Sequence, residues 1–152
     1  MEGKGGRFVN PAATTVARLL GKGAVCWPDK TFIDVDGAQL SYGESERRSR
    51  HLAHGLAALG IGRGDRVSVM LDTSLDMVLL WLAVTRMGAV MAPLNTAFRG
   101  EFLRHQLRDS GAGLIVVEGH YAERVTTILD QLPDLQRILV RGFKIFRRRH
   151  RL

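Results

Sequence analysis

The chain has a single cysteine, Cys26, so no internal disulfide can form, and such sparing cysteine use fits a reducing compartment. Beside Trp27, Cys26 reads as a small, semi-buried apolar residue. No Cys/His set has zinc spacing, and no metal ligand set is expected. Long hydrophobic runs are missing too. The longest, residues 77–84, falls far short of the roughly 20 residues that a membrane span needs. The first seven residues are Gly- and Lys-rich with no apolar run behind them, unlike a signal peptide. These absences lead to the expectation of a soluble, cytoplasmic protein with no membrane span.

Acidic residues are absent beyond Asp134. The net charge of +7 is therefore local, because six of the 22 basic residues lie within 141–152. The rest is within one charge of neutrality, which removes the case for a nucleic-acid-binding domain. The tail mixes its bases with Phe143, Ile145 and Phe146. It is expected to be mobile and dispensable, and to bind nucleic acid weakly and nonspecifically through counterion release. It reads as an aberrant C-terminus of the kind a frameshift or early stop leaves.

Several catalytic signatures are also lacking. A P-loop needs Gly-x-x-x-x-Gly-Lys-Ser/Thr to cradle phosphates, and neither Gly3-Lys4 nor Gly21-Lys22 is followed by Ser or Thr. The glycines of 60–64 precede a strand, whereas a dinucleotide fingerprint follows one, so they read as a helix-ending turn. Ser74 and Ser110 lack the Gly-x-Ser-x-Gly elbow. His51 and His54 share a helix side, but Arg47, Arg48 and Arg50 beside them repel a cation, so they read as solvated or groove-facing; His105 reads as solvated.

What is present is an alternating pattern. With 152 residues, 45% of them hydrophobic, the chain suffices for one globular domain. Apolar spacing predicts a helix over 14–22, and Asp36-Gly37 predicts a hairpin between strands 31–36 and 39–42. Ser41 and Glu44 form a capping-box pattern, Ser41 accepting the amide three residues on and Glu44 reaching back. The helix behind it carries Leu52, Leu56 and Leu59 on one face and ends at Gly60 and Gly62. Strands are expected over 66–71, 89–94, 114–117 and 138–140. Helices are expected over 75–87, 99–109 and 121–132. The first of these helices, 75–87, is apolar nearly all round and should be buried on more than one side.

Strict alternation implies crossover units: an α/β fold with a mainly parallel sheet, helices on both faces, and a small antiparallel hairpin before it. The expected organisation is a flexible N-terminus at 1–13, a globular unit at 14–140 and a basic tail at 141–152. In parallel sheets ligands bind beyond the carboxyl ends of strands. Asp72, Thr73 and Asn95 fall there and are the substrate-channel candidates. Helix capping competes for this neighbourhood, with Thr73 or Ser74 starting one helix and Thr96 the next.

Two strings go further. Leu40 to Ser45 reads LSYGES, and Leu82 to Asn95 reads LAVTRMGAVMAPLN. They resemble the first two conserved segments of the adenylate-forming (AMP-binding) enzymes, a superfamily of acyl-CoA synthetases, luciferases and peptide-synthetase adenylation domains. Between them, residues 60–67 resemble that family's Gly-x-x-x-Gly-Asp-Arg-Val turn. Asn95 to Glu101 looks like acyl-CoA synthetases acting on small or medium carboxylic acids. Ser45 departs from the usual Leu. The resemblance implies ATP-dependent activation of a carboxylic acid to an acyl-adenylate, then thioester formation with coenzyme A. ATP, Mg²⁺ and CoA would serve the full-length enzyme, with none expected on this fragment. The family's Ser/Thr/Gly-rich ATP loop ending in Pro-Lys-Gly, and its C-terminal lysine, have no counterpart here, so no catalytic residue carries over. The expectation is an N-terminal ligase fragment, inactive alone. The alternatives are a stand-alone module completing a split enzyme with a complementary chain, or a truncated product without function.

Overall fold

A computed structural model describes residues 15–142 and 144–147, the last four through their backbone. The expected flexible N-terminus and the end of the tail lie outside the described residues. Helix α1 (Val16–Cys26) starts at Thr15, whose side chain accepts from the Arg18 amide at 3.2 Å. It runs a turn past the expected 14–22 despite Gly21 and Gly23. Gly23 serves packing instead: a Cβ there would lie 2.4 Å from the Tyr42 ring, so only glycine lets α1 approach the next helix this closely. Cys26 ends α1 exposed, not semi-buried as its composition class suggests.

Strands β1 (Thr31–Val35) and β2 (Ala38–Ser41) form the antiparallel hairpin. Its turn has positive φ at both Asp36 (52°) and Gly37 (80°), the geometry that Asp-Gly favours because it matches strand twist. Helix α2 (Tyr42–Ala58) is capped by Ser41, which accepts from the Glu44 amide at 3.2 Å. The Glu44 carboxylate pairs with Arg48 at 3.4 Å, one helical turn on.

Strand β3 (Arg66–Met70), helix α3 (Leu75–Arg86), strand β4 (Val90–Pro93), helix α4 (Gly100–Ser110) and strand β5 (Leu114–Val117) follow in alternation. The helix expected over 121–132 is broken. Only α5 (Ala122–Thr126) is α-helical, with single 3₁₀ turns at Gly119–Tyr121 and Leu129–Gln131. The Thr126 and Thr127 hydroxyls both donate to the Glu123 carbonyl, at 3.1 and 2.7 Å, competing with continued helix. Strand β6 (Arg137–Val140) comes next, and β7 (Lys144–Arg147) pairs with it antiparallel. A third of the segment expected to be a mobile tail, four of its twelve residues, therefore supplies an edge strand.

The sheet order is β4-β3-β5-β6-β7, parallel except for β7. Side chains alternate across it. Val67, Val69, Leu114 and Val116 meet Leu56 of α2 and Leu80, Ala83 and Val84 of α3. Met70, Ile115, Val117 and Ile138 meet Leu103 and Leu107 of α4 and Val125 and Ile128 on the other side. Helix α3 turns its remaining side, through Leu79 and Leu82, to Leu20, Ile33 and Leu40 of α1 and the hairpin. That double burial explains its nearly uniform apolar sequence. Trp81 stays 41% exposed beside β4.

Candidate functional site at the strand ends

The topology decides where a ligand could approach. From β3 the chain crosses through α3 on one face to β4, then through α4 on the other face to β5. Connections leaving to opposite faces open a crevice at the carboxyl ends, the usual ligand position in such sheets. Asp72 follows β3, Asn95 follows β4, Glu118 follows β5 and Arg141 follows β6.

The polar groups at this edge are largely committed to one another. Tyr121 Oη donates to Asp72 Oδ1 at 2.8 Å, and His120 Nε2 lies 3.3 Å from Asp72 Oδ2. These contacts bridge the loops after β3 and β5. Arg141 donates from Nε to Asp76 Oδ2 at 2.9 Å, and from Nη1 to Glu118 Oε2 at 3.0 Å and Ser74 Oγ at 3.2 Å. One guanidinium thus ties the loops after β3, β5 and β6. Arg124 donates to the Thr96 carbonyl at 2.7 Å and lies 4.4 Å over the Tyr121 ring, adding the loop after β4.

Of the three residues expected here, Asp72 is the hub of this network. Asn95 is exposed and local: its Oδ1 accepts from the Ala97 amide at 2.8 Å, an Asx turn. Thr73 is exposed on the rim of a shallow cleft of about 360 Å³ between the hairpin turn and the start of α3. The capping competition resolves to Ser74, which accepts from the Met77 amide at 3.3 Å and caps α3. Thr96 caps nothing; α4 begins at Arg99 without a side-chain cap. Tyr121, Glu118, His120 and Arg141 escaped the sequence reading. The first three sit in a segment that reads as helix start, and Arg141 reads as tail.

The chemistry available at this edge is narrow. Both Asp72 oxygens are engaged, and Arg141 is shared among three acceptors. Asp76 and Glu118 are paired with Arg141, and Asp72 faces Tyr121 and His120, so the charges at this edge are largely satisfied by one another. Among the described residues, no group of three or more His, Cys, Asp or Glu is placed to hold a metal ion. No helix among them is long and apolar enough to cross a membrane. His51 and His54 are exposed on α2, and His105 pairs with Asp109 at 3.0 Å in the open.

One perturbed carboxyl lies between helices. Burial pushes Glu46 up, but hydrogen bonds from Arg50 and Arg86 and their charges outweigh it, holding the carboxyl below its ordinary value. The Glu46 and Arg86 side chains are only 13% and 19% exposed, and they pair directly, locking α2 to α3. This is an architectural ion pair remote from the strand ends.

Comparison with known proteins gives a consistent picture. A family model described as AMP-binding enzyme matches residues 21–145. Surfactin synthase subunit 1 of Bacillus subtilis is 32% identical over 113 residues, 74% of this chain and 3% of that protein. A 3-hydroxybenzoate–CoA ligase of Aromatoleum is 34% identical over 109 residues, 71% of this chain and 21% of that protein. Among solved structures, one described as a long-chain-fatty-acid CoA ligase, from Rhodopseudomonas palustris, superimposes with a TM-score of 0.80 at 28% identity. The match covers 85% of this chain and 33% of that one. The chain thus spans at most about a third of the lengths of these proteins.

Proposed function

The chain belongs to the AMP-binding, adenylate-forming enzymes, and from that premise we propose that it is the N-terminal part of an ATP-dependent acyl-CoA synthetase. The activity to which it contributes is activation of a carboxylic acid as an acyl-adenylate, followed by thioester formation with coenzyme A. The observation that carries this reading is the fold match to the Rhodopseudomonas ligase over 85% of the chain. The superposition on that ligase, with a TM-score of 0.80, supports a contribution to the frame on which adenylation takes place.

In this reading the 152 residues do not catalyse adenylation by themselves. They contain no Ser/Thr/Gly-rich loop ending in Pro-Lys-Gly. At the strand ends Arg141 and Arg124 are already engaged by protein acceptors, which leaves no substitute there for positioned cations and amides around a reacting phosphate. No step is assigned to them. Asp72, Thr73 and Asn95 are placed at the rim of the acyl channel in the complete domain, where they shape loops and do not react. The tail, 141–152, contributes weak nonspecific attraction for nucleic acid, and the protein works in the cytoplasm.

A second reading, a module completing a separate adenylating chain, is favoured by the apolar surface left open beside Trp81 and Val90, which are 41% and 50% exposed. Acid-dependent pyrophosphate exchange, measured with a panel of fatty and aromatic acids, tests the proposal. The chain alone is expected to match a heat-killed control. Turnover by the chain alone would overturn the inactive-fragment reading. Inactivity of a protein in which this chain replaces the matching third of an active ligase, despite correct folding, would count against the synthetase assignment.

A further inference from the structure

On the α2/α3 face of the parallel sheet, among the described residues, Leu71 and Val116 are buried, but Leu139 of β6, at the margin of that core, is only partly so. Parallel sheets are normally buried on both faces. Beyond β5, among the described residues, a groove of about 360 Å³ runs between α2 and β6. Its floor is Leu71, Val116 and Leu139, and Leu52 and Leu80 form the wall. The mouth is different in character. Arg47 and His51, one helical turn apart on α2, are exposed along one lip, beside Arg48, which is paired with Glu44. Arg50, paired with Glu46 at 2.7 Å, and His54 continue the line along α2. On the opposite lip, Arg141 is already neutralised by Asp76 and Glu118. The groove therefore pairs an apolar floor with one cationic lip.

We infer that this groove seats an amphipathic helix, apolar along one stripe and acidic along the flank that faces α2, from the two thirds of the adenylation enzyme that this chain does not span. The inference rests on the family reading and names the contact through which the remainder docks. A helix is the element that closes the open face of a parallel sheet. Acids at i and i+4 on its flank meet Arg47 and His51, which have the same spacing. A second copy of this chain fits poorly, because it would bring two cationic lips together. A nucleic acid leaves the apolar floor unused.

The test uses three fluorescein-labelled helical peptides of 18 residues, sharing one leucine stripe and flanked by Glu, Gln or Lys. Anisotropy is read against the intact chain. The Glu peptide is expected to bind saturably, about tenfold or more tighter than the Lys peptide, a gap that salt narrows. R47E combined with H51E should invert the preference toward Lys, and Leu139→Lys should weaken all three, with circular dichroism confirming that each variant folds. Absence of saturable Glu-peptide binding, or binding indifferent to both variants, would overturn the inference. So would a dimer in light scattering that R47E dissolves, or displacement of the Glu peptide by decanoate at the same floor, since each assigns the groove another occupant. None of these readouts depends on adenylation, so failure here and failure of the family reading remain separable.

Discussion

Tyr121 and Asp72, 49 residues apart, meet through a 2.8 Å hydrogen bond that closes the crevice between the loops after β3 and β5. Asp72 also faces His120, and the Tyr121 ring carries Arg124 on its face, so one phenol joins two parts of the network. Tyr121→Phe keeps the ring and removes only the hydroxyl. The expected loss is about 1 kcal/mol, the usual net worth of such a bond, read as a lower urea midpoint with unchanged slope. An unchanged midpoint would show that solvent replaces the bond without cost.

The ion pair between α2 and α3 makes stability acid-sensitive. The Glu46 carboxyl is held below its ordinary 4.5 in the folded chain. Its contribution is fully present above that value and is lost as pH falls through the lowered folded value. Thermal melts from pH 7 to 2 should show a steeper fall below about pH 4.5 in the parent chain than in Glu46→Gln. Arg86→Met, which leaves the acid without its interhelical partner, is expected to cost about 2 kcal/mol at neutral pH. Parallel melting curves for parent and Glu46→Gln would remove Glu46 from the account.

Ser45 is fully buried, and its hydroxyl has no hydrogen-bond partner among the described residues. Leaving such a group unsatisfied costs about 1 to 3 kcal/mol. Ser45→Ala should therefore be neutral or stabilising by about 1 kcal/mol in chemical denaturation. A loss larger than that would indicate a partner, such as a buried water.

Strand β4 is a sheet edge. The Val90 and Leu94 amides donate inward to Asp65 and Val69, so by alternation the outward positions are Met91 and Pro93. Proline has no amide to offer, so this edge is blunted against strand pairing. The apolar side chains beside it, Trp81 and Val90, remain exposed. Association at high concentration is expected through side chains, visible in light scattering, and Trp81→Lys with Val90→Lys should restore a monomer. A parent chain that stays monomeric without binding an apolar-surface dye would contradict this.

At the opposite edge, β7 covers β6 over the register Arg137↔Arg147 to Val140↔Lys144. Truncation after Gly142 removes that ladder. The expectation for a dispensable tail gives way to a loss of about 1 to 3 kcal/mol, a few net ladder bonds, together with greater aggregation from an uncovered edge. A truncated chain as stable as the parent would return the whole of 141–152 to the status of a tail.

Local chemistry is what the amino-acid sequence determined by itself. Asp36-Gly37, the Ser41 cap and the all-apolar β5 each depend on dihedral preference or a bond within a few residues, and each is found where the string places it. The crossover order followed from the same alternation of apolar periods, and the two family segments from their residues alone. Only the tertiary structure decided the rest. It joined Arg141 to Asp76 and Glu118, drew β7 out of an apparent tail, and broke the helix after Tyr121. It also exposed Cys26, and set a groove between α2 and β6 beside Arg47 and His51. Those outcomes depend on the sheet order β4-β3-β5-β6-β7, which brings loops from distant parts of the chain to one edge. No periodicity along the chain encodes that order, because strand neighbours are chosen by the summed burial of faces and not by any contact within reach of a single turn.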